Sequence, residues 1–495
     1  MLGISAVNLL WMPGEFLAGD PGAWREETRS LLLRGELNVP AEYAKGFGEP
    51  GQYYVRNERN NLYYSKYGVG NALFALPPMW LQQAVGGDIS VPGRLPSLVL
   101  FNLWYVALGA VLGGLLYALS AAYSRRVGVR ALYVVAVMYG TSLWYYQRAQ
   151  SSELYQVILF SAFFLGLVHL LRSLGERGPL GLDRQAALSL AAVWLCAGLL
   201  VLTRVVYGLL LPIAVLLAAH AIVRGRSWRE LRACPPALVA TLLIPPALIV
   251  ALAALLNHLK FGAPWLTGYH QWRPELTSPV GRLSDGLWGF LFSPRFSIFL
   301  YFPLLAFALA GWKRFRGRYR TDATAMLAIF VVFLLLLSAL PSWAGEWAYG
   351  PRYLLFILPV LSLPFLAFAD HVLDRPGTWR ARAWALVALA SLGYSAYLQV
   401  QVNRLPFFMY YYARAGNSPE LISYFFEHHV GVICDDLNRH RANLEDLPFF
   451  ADLRREISPE SLRDYRAVIG SMLGRGNLYW TLPPEARRSL QFPAP

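Results

Sequence analysis

Two strings near the N-terminus decide the reading: GDPGAWREETRSLLLRGEL at Gly19–Leu37 and NNLYYSKYGVG at Asn60–Gly70. They bracket a polar stretch, Gly19–Lys66, that holds Asp20, Glu26, Glu27, Arg29, Lys45, Arg56, Arg59 and Lys66 between strongly apolar segments. A chain that spends its length on membrane spans and keeps this stretch outside them places its chemistry there.

The surrounding composition supports that frame. Of 495 residues, 56% are hydrophobic and 15% charged, with mean hydropathy +0.38, whereas soluble domains carry about 25% charged residues. Many apolar runs reach the ~20 residues that a helix needs to cross a bilayer. The expected fold class is therefore all-α and polytopic; the short alternating segments of a β-barrel are absent. The net charge of +14 suits basic loops beside anionic headgroups. No nucleic-acid-binding module accompanies the charge, so no nucleic-acid partner is expected. Cys196, Cys234 and Cys434 fall in different parts of the predicted topology, and no disulfide is expected.

Basic connections alternate along the chain with connections poor in Lys and Arg. The basic set is Arg125/Arg126/Arg130, Arg172/Arg177/Arg184, Arg224/Arg226/Arg229/Arg232, Lys313/Arg314/Arg316/Arg318/Arg320 and Arg375/Arg380/Arg382. The sparse set surrounds Arg148, Arg204, Asn257–Phe296 and Pro341–Arg352. The positive-inside rule assigns the basic set to the cytoplasm. Parity then puts Gly19–Arg94 outside, provided that Gly70–Val85 does not cross. That run is short, contains Pro77-Pro78 and ends in Gln82-Gln83, which suits an interfacial or re-entrant helix. Met1–Met12 reads as the end of a first span. The expected total is about eleven transmembrane helices, this first one included, in a domain over residues 1–400 whose first outer loop is 19–94. Residues 401–495 form a small outer extension of unassigned role.

Several residues on the sparse side can carry chemistry. Asp20, followed by Pro21, fits a helix N-cap; a carboxylate at a dry interface can equally act as a general base. Glu153 opens the run Leu154–Leu171, where a helix dipole favours an acid, or it serves as a second carboxylate able to hold a divalent metal. Arg204 interrupts apolar residues in LVLTRVVYG, as a snorkelling turn or as a phosphate clamp. Lys66, before Tyr67-Gly68-Val69-Gly70, suits a lipid phosphate. In SWAGEWAYGPRY (Ser342–Tyr353), Trp347 and Tyr349 belong to an interfacial aromatic belt or stack on sugar rings, and Arg352 can grip phosphate bidentately. Tyr269-His270 and His428-His429 read as ordinary loop residues.

Taken together, these pieces resemble the GT-C superfamily of membrane glycosyltransferases, in particular bacterial lipid-A aminoarabinose transferases and protein O-mannosyltransferases. The likeness lies in Asp20 just after the first span with Gly35 fifteen residues on and Arg29 between, in YYSKYGVGNALFALP with Lys66, in Glu153 opening a later span, and in Arg204 after Leu-Thr. It covers roughly Asp20–Arg352. Asp20-Pro21 stands where many relatives have Asp-Glu, Arg204 where Lys is usual, and Glu153 where Asp is usual. The resemblance implies a GT-C-like fold in the bacterial cytoplasmic (inner) membrane, with the active site on the extracytoplasmic face. It implies transfer of a sugar from a polyprenyl-phosphate donor to a hydroxyl of a lipid, glycan or protein acceptor, with inversion. Asp20 would be the catalytic base and Glu153 the second acid. Arg29, Lys66, Arg204, Arg352, Tyr349 and Trp347 would bind substrate, and a divalent metal (Mg, Mn or Zn) could sit at Asp20 and Glu153. The alternatives are a polysaccharide ligase, or a lipid or polysaccharide transporter or flippase, which predicts charges along a midplane path and pseudo-symmetry.

Overall fold

The computed structural model describes residues 2–13, 20–46, 51–91, 97–175, 183–224, 226–227, 230, 232, 234–276, 281–345 and 349–404. The helices are α1 (Leu2–Leu10), α2 (Asp20–Arg34), α3 (Ala41–Gly46), α4 (Val69–Ala84), α5 (Leu98–Ala121), α6 (Val127–Tyr139), α7 (Leu143–Arg148), α8 (Ser152–Gly175), α9 (Arg184–Thr203), α10 (Leu210–Val223), α11 (Pro236–Phe261), α12 (Gly268–Trp272), α13 (Leu283–Phe292), α14 (Ile298–Tyr301), α15 (Leu304–Arg318), α16 (Arg320–Ser338), α17 (Leu358–Leu361), α18 (Pro364–Leu373) and α19 (Trp379–Arg404). Three short strands, β1 (Asn38–Val39), β2 (Tyr54–Arg56) and β3 (Tyr63–Ser65), make an antiparallel sheet in the order β1-β3-β2. Its register sets Asn38 opposite Tyr64 and Tyr54 opposite Ser65. The extension expected at 401–495 begins inside α19, and residues 405–495 lie outside the described residues.

Among the described residues, seven helical segments are long and apolar enough to cross a membrane: α5, α8, α9, the 3-10 turn Val205–Leu209 with α10, α11, α16 and α19. The expected eleven exceed this by four: the first is the nine-residue α1, and three further apolar runs break. Val129–Tyr146 divides into α6 and α7 after the cap at Gly140. Ser297–Trp312 divides into α14 and α15 at Phe302-Pro303, and Tyr353–Ala369 into a 3-10 turn, α17 and α18. Prolines at 359 and 364 remove backbone donors in the last run. Inside a bundle such a break needs local partners; the Pro359 carbonyl accepts from the Tyr133 hydroxyl at 2.6 Å and the Ser362 hydroxyl at 2.7 Å. α6, α15 and α18 all abut a basic connection, so each run breaks on the side away from it.

Helix α8 is the central post. Of its apolar window 78% is buried, against 17% for α11, which presents its sides outward. Apolar burial alone gains little between helices in lipid, so close approach and packing must hold them. Gly166 of α8 supplies this against α9: a Cβ there would lie 3.0 Å from the Ser189 carbonyl. Gly311 does so between α15 and α18, where a Cβ would meet the Pro364 carbonyl at 2.1 Å. Tyr155, Phe160, Phe163 and Phe164 fill the space around α8.

The polar N-terminal stretch folds over one end of this bundle. α2 stops at Gly35, whose φ of +69° is left-handed and favours glycine, and the Gly35 N–H returns to the Leu31 carbonyl at 3.1 Å. The conspicuous Asp20-to-Gly35 spacing is therefore the length of one helix. α2 packs on α4 and on the start of α8: the Thr28 hydroxyl donates to the Ala72 carbonyl at 3.0 Å, and the Trp24 and Tyr155 rings meet edge to face at 6.3 Å.

Candidate active site

At the arginine-sparse end, the beginning of α8 meets the end of α9. These helices run antiparallel, so Glu153, in the first turn of α8, lies beside Arg204, which caps α9. Arg204 has extended backbone (φ −147°, ψ 125°) at the junction with the following 3-10 turn. It is thus the break between two apolar segments that its isolated charge suggested. Its Nη2 lies 2.9 Å from Glu153 Oε1, and Arg352 Nε reaches the same oxygen at 2.6 Å. Arg352 arrives from the broken run before α17. Gly350 permits that turn with φ +67° and leaves room for the Tyr301 ring, which a Cβ would meet at 2.7 Å.

The side chain of Glu153 is 1% exposed, while those of Arg204 and Arg352 are 20% and 21% exposed. Glu153 Oε2 has no hydrogen-bond partner among the described residues. A buried carboxylate is tolerable when paired, and here two cations share it. The cluster thus brings two guanidiniums to one acid, with both arginine side chains partly exposed. Arg204 also lies 5.4 Å from the Tyr353 ring centroid. Forked guanidiniums suit phosphate or another oxyanion.

A divalent metal at Glu153 would face both guanidiniums; the Asp20 side chain, its other expected ligand, lies outside the described residues. Glu153 orients Arg204 and Arg352 through one shared oxygen.

Lys66 joins this end through backbone contact. After β3, Lys66–Gly70 runs directly across the last turn of α9. A Cβ at Gly68 would fall 2.2 Å from the Leu202 carbonyl, and one at Gly70 2.7 Å from the Thr203 N. The Asn71 amide donates to the Thr203 carbonyl at 3.2 Å. The two glycines thus allow the Lys66 string to lie on the residues immediately preceding Arg204. Lys66 Nζ sits 3.4 Å from the Trp272 ring centroid, 5.1 Å from that of Tyr269, 5.3 Å from that of Tyr67 and 5.8 Å from that of Tyr53. Such cation–π contacts hold an ammonium without neutralising it. Gly268 lets α12 approach, since a Cβ there would meet Lys66 Cα at 2.3 Å. Tyr269 is accordingly part of the site, contrary to its reading as an ordinary loop residue.

Sequence reasoning missed Trp272 and the buried pair Glu27–Lys260. Lys260 Nζ lies 2.5 Å from Glu27 Oε1 and donates to the Tyr67 carbonyl at 2.8 Å. Burial raises the Glu27 carboxyl above the ordinary glutamate range, and the neighbouring Lys260 pulls it the other way. Burial also brings Arg25 down to about 10; its guanidinium lies 5.8 Å from the Phe101 ring centroid. An acid and a base inside a run of charges carry no mark of burial, so only the lone lysine near the end of an apolar helix could have flagged this pair.

The other expected residues fare differently. Asp20 opens α2, one turn ahead of Trp24, and its side chain lies outside the described residues, as does Trp347. Arg29 is buried and paired with Glu26 at 2.5 Å on the same helix, which makes it a helix-bound partner more than a ligand-facing group. Tyr349 is 3% exposed. Its hydroxyl donates to Gln399 at 3.2 Å and its ring meets Tyr145 and Tyr301. It packs the segment leading to Arg352.

No protein-family model matches the chain, and no curated protein matches it. The fold is similar to that of the archaeal oligosaccharyltransferase AglB from Archaeoglobus fulgidus, solved in complex with an inhibitory peptide and a dolichol-phosphate. Identity is 13%, the TM-score is 0.50, and the match covers 86% of this chain and 58% of that one. It is also similar to the crystal structure of the Archaeoglobus fulgidus oligosaccharyltransferase in the apo form, with 12% identity, a TM-score of 0.51, and coverage of 86% and 59%. The chain thus spans less than two thirds of the length of either. At such identities the likeness is one of architecture: this is a multi-pass membrane protein with the GT-C fold.

Proposed function

We propose that the protein is a glycosyltransferase that moves a sugar from a polyprenyl-phosphate donor to an acceptor hydroxyl, at the extracytoplasmic face of a bacterial inner membrane. The observation that carries this reading is the meeting of Arg204 and Arg352 at Glu153, with the Lys66 string lying on the last turn of α9. Arg204, Arg352 and Lys66 hold the donor phosphate, and the prenyl chain lies between helices. Asp20 removes the proton from the acceptor hydroxyl. The acceptor oxygen then attacks the anomeric carbon from the face opposite the phosphate; the carbon–oxygen bond to the phosphate breaks, and polyprenyl phosphate leaves with the bonding electrons. The cations stabilise the charge that grows on the departing oxygen, where preorganised charge is most effective. One displacement inverts the anomeric centre.

The positive-inside rule supports the orientation, because the site lies at the end away from the basic connections. The similar structure in complex with a dolichol-phosphate supports a prenyl phosphate as ligand. The similar proteins are oligosaccharyltransferases, which favours as second reading a lipid-linked oligosaccharide donor and a ligase-type transfer.

Mass spectrometry of lipid copurifying with the protein tests the proposal. A polyprenyl-phosphate hexose is expected, with transfer from it lost in Asp20→Asn while the donor remains bound. A pyrophosphate-linked oligosaccharide selects the second reading. Phospholipid alone, together with full activity of Asp20→Asn in any transfer assay, overturns the first.

A further inference from the structure

The Glu27–Lys260 pair takes no part in the reaction above, yet it joins the elements that the reaction needs. Glu27 lies seven residues, about two turns, along α2 from Asp20. Lys260 is the penultimate residue of α11, the helix that leads to Tyr269 and Trp272 around Lys66. Its ammonium spends one proton on Glu27 Oε1 and another on the carbonyl of Tyr67, the residue next to Lys66. Both side chains are inaccessible, at 0% and 2% exposure.

A buried ion pair is a poor source of stability; apolar side chains of similar volume often serve as well or better. What such side chains cannot do is grip a carbonyl. The Lys260–Tyr67 bond is directional, and it ties the backbone beside Lys66 to α2 through Glu27. We infer that Lys260, held in place by Glu27, is a positioning residue that fixes Lys66 relative to the helix opened by Asp20. The role rests on the reading of Lys66 as a ligand of the donor phosphate. Displacements near 1 Å at such a site cost about 10²-fold in rate, so a joint of this kind has a large lever.

The double variant Glu27→Leu/Lys260→Met removes both charges and the grip on Tyr67 together. It is compared with the parent in detergent for thermal unfolding, for turnover, and for affinity toward a short-chain polyprenyl monophosphate. The expected result is an unfolding temperature near that of the parent, with affinity about tenfold weaker and kcat about a hundredfold lower, the magnitude that lost orientation gives. Lys260→Arg, which keeps two donors for Glu27 and the carbonyl, should recover most of both. A double variant that binds and turns over like the parent overturns the inference, as does one that fails to fold, since the pair is then a structural element. If the parent binds no polyprenyl phosphate, the donor reading fails first and the positioning role falls with it; parent binding with an indifferent double variant removes the positioning role alone.

Discussion

The two ends of the bundle treat charge differently. At the basic end, each ion-paired arginine has an acid of its own. Arg172 meets Asp322, and Arg126 reaches Asp374 at 2.6 Å with Asp370 at 3.9 Å. The arginines there are open to water, 37% exposed at Arg172 and 41% at Arg126, so solvent and salt screen them. At the sparse end one buried carboxylate serves two arginines half as exposed. The helices differ too: the broken apolar runs break toward the sparse end and leave whole turns at the basic one. Wetted pairs fix helix ends. At the sparse end, on interrupted helices and in a drier setting, one buried acid instead gathers two arginines.

The sharpest way to break this contrast is to remove one acid from each end. Asp20→Asn is expected to lower transfer by at least about 10³-fold, within the range set by loss of a general base, while Asp374→Asn at the basic end should leave turnover within about twofold, as for a surface pair. Steady-state assays on both variants check this, and comparable losses would dissolve the distinction.

Stability should follow the same asymmetry. Glu153→Ala leaves two guanidiniums without their shared counter-charge and should cost about 3 kcal/mol in unfolding free energy. Asp322→Ala frees Arg172 to turn toward water and should cost about 1–2 kcal/mol, because its partner is already partly solvated. Chemical denaturation in detergent compares the two, and a larger loss at Asp322 would reverse the argument.

Affinity sharpens it further. Arg204→Gln and Arg352→Gln should each weaken binding of polyprenyl phosphate by about tenfold or more, the value of a charge-assisted hydrogen bond to phosphate, and Arg126→Gln should leave it unchanged. Isothermal calorimetry would expose a donor site at the wrong end if Arg126 mattered equally.

The smallest expected effect concerns pH. The Glu27 carboxyl has its folded value raised above the ordinary 4.5. A raised folded value means a contribution to stability that is full below 4.5 and lost as pH climbs through the folded value. Glu27→Gln, neutral throughout, should therefore flatten the decline in unfolding temperature above pH 4.5. A parent and variant with parallel profiles would show that the carboxyl titrates normally.

Much of the architecture was legible along the chain. Apolar runs of sufficient length mark the spans, because a helix in lipid must satisfy its backbone internally over a fixed thickness. Alternating arginine-rich loops mark one end of the bundle. Arg204 stood out because a single charge in an apolar run has few places to go, and it forms the junction that this constraint demands. The interruptions at Gly140, Phe302 and Pro359 were less visible, since a broken run and a continuous one have the same composition. Tyr349 stayed open, because an aromatic in a Gly- and Pro-rich string reads alike whether it faces a ligand or the core.

By itself the sequence determined the membrane class, the polar cap after the first apolar segment, and Glu153, Lys66, Arg204 and Arg352 as charges worth watching. Those follow from local length, hydropathy and charge. Only the tertiary structure decided that Glu153 is shared by residues 51 and 199 positions away, that Lys66 faces Trp272, and that Lys260 binds Glu27 across 233 positions. The reason is steric: the close seat of Gly68 and Gly70 on Leu202 and Thr203 sets which distant charges meet, and no periodicity in the chain encodes that contact.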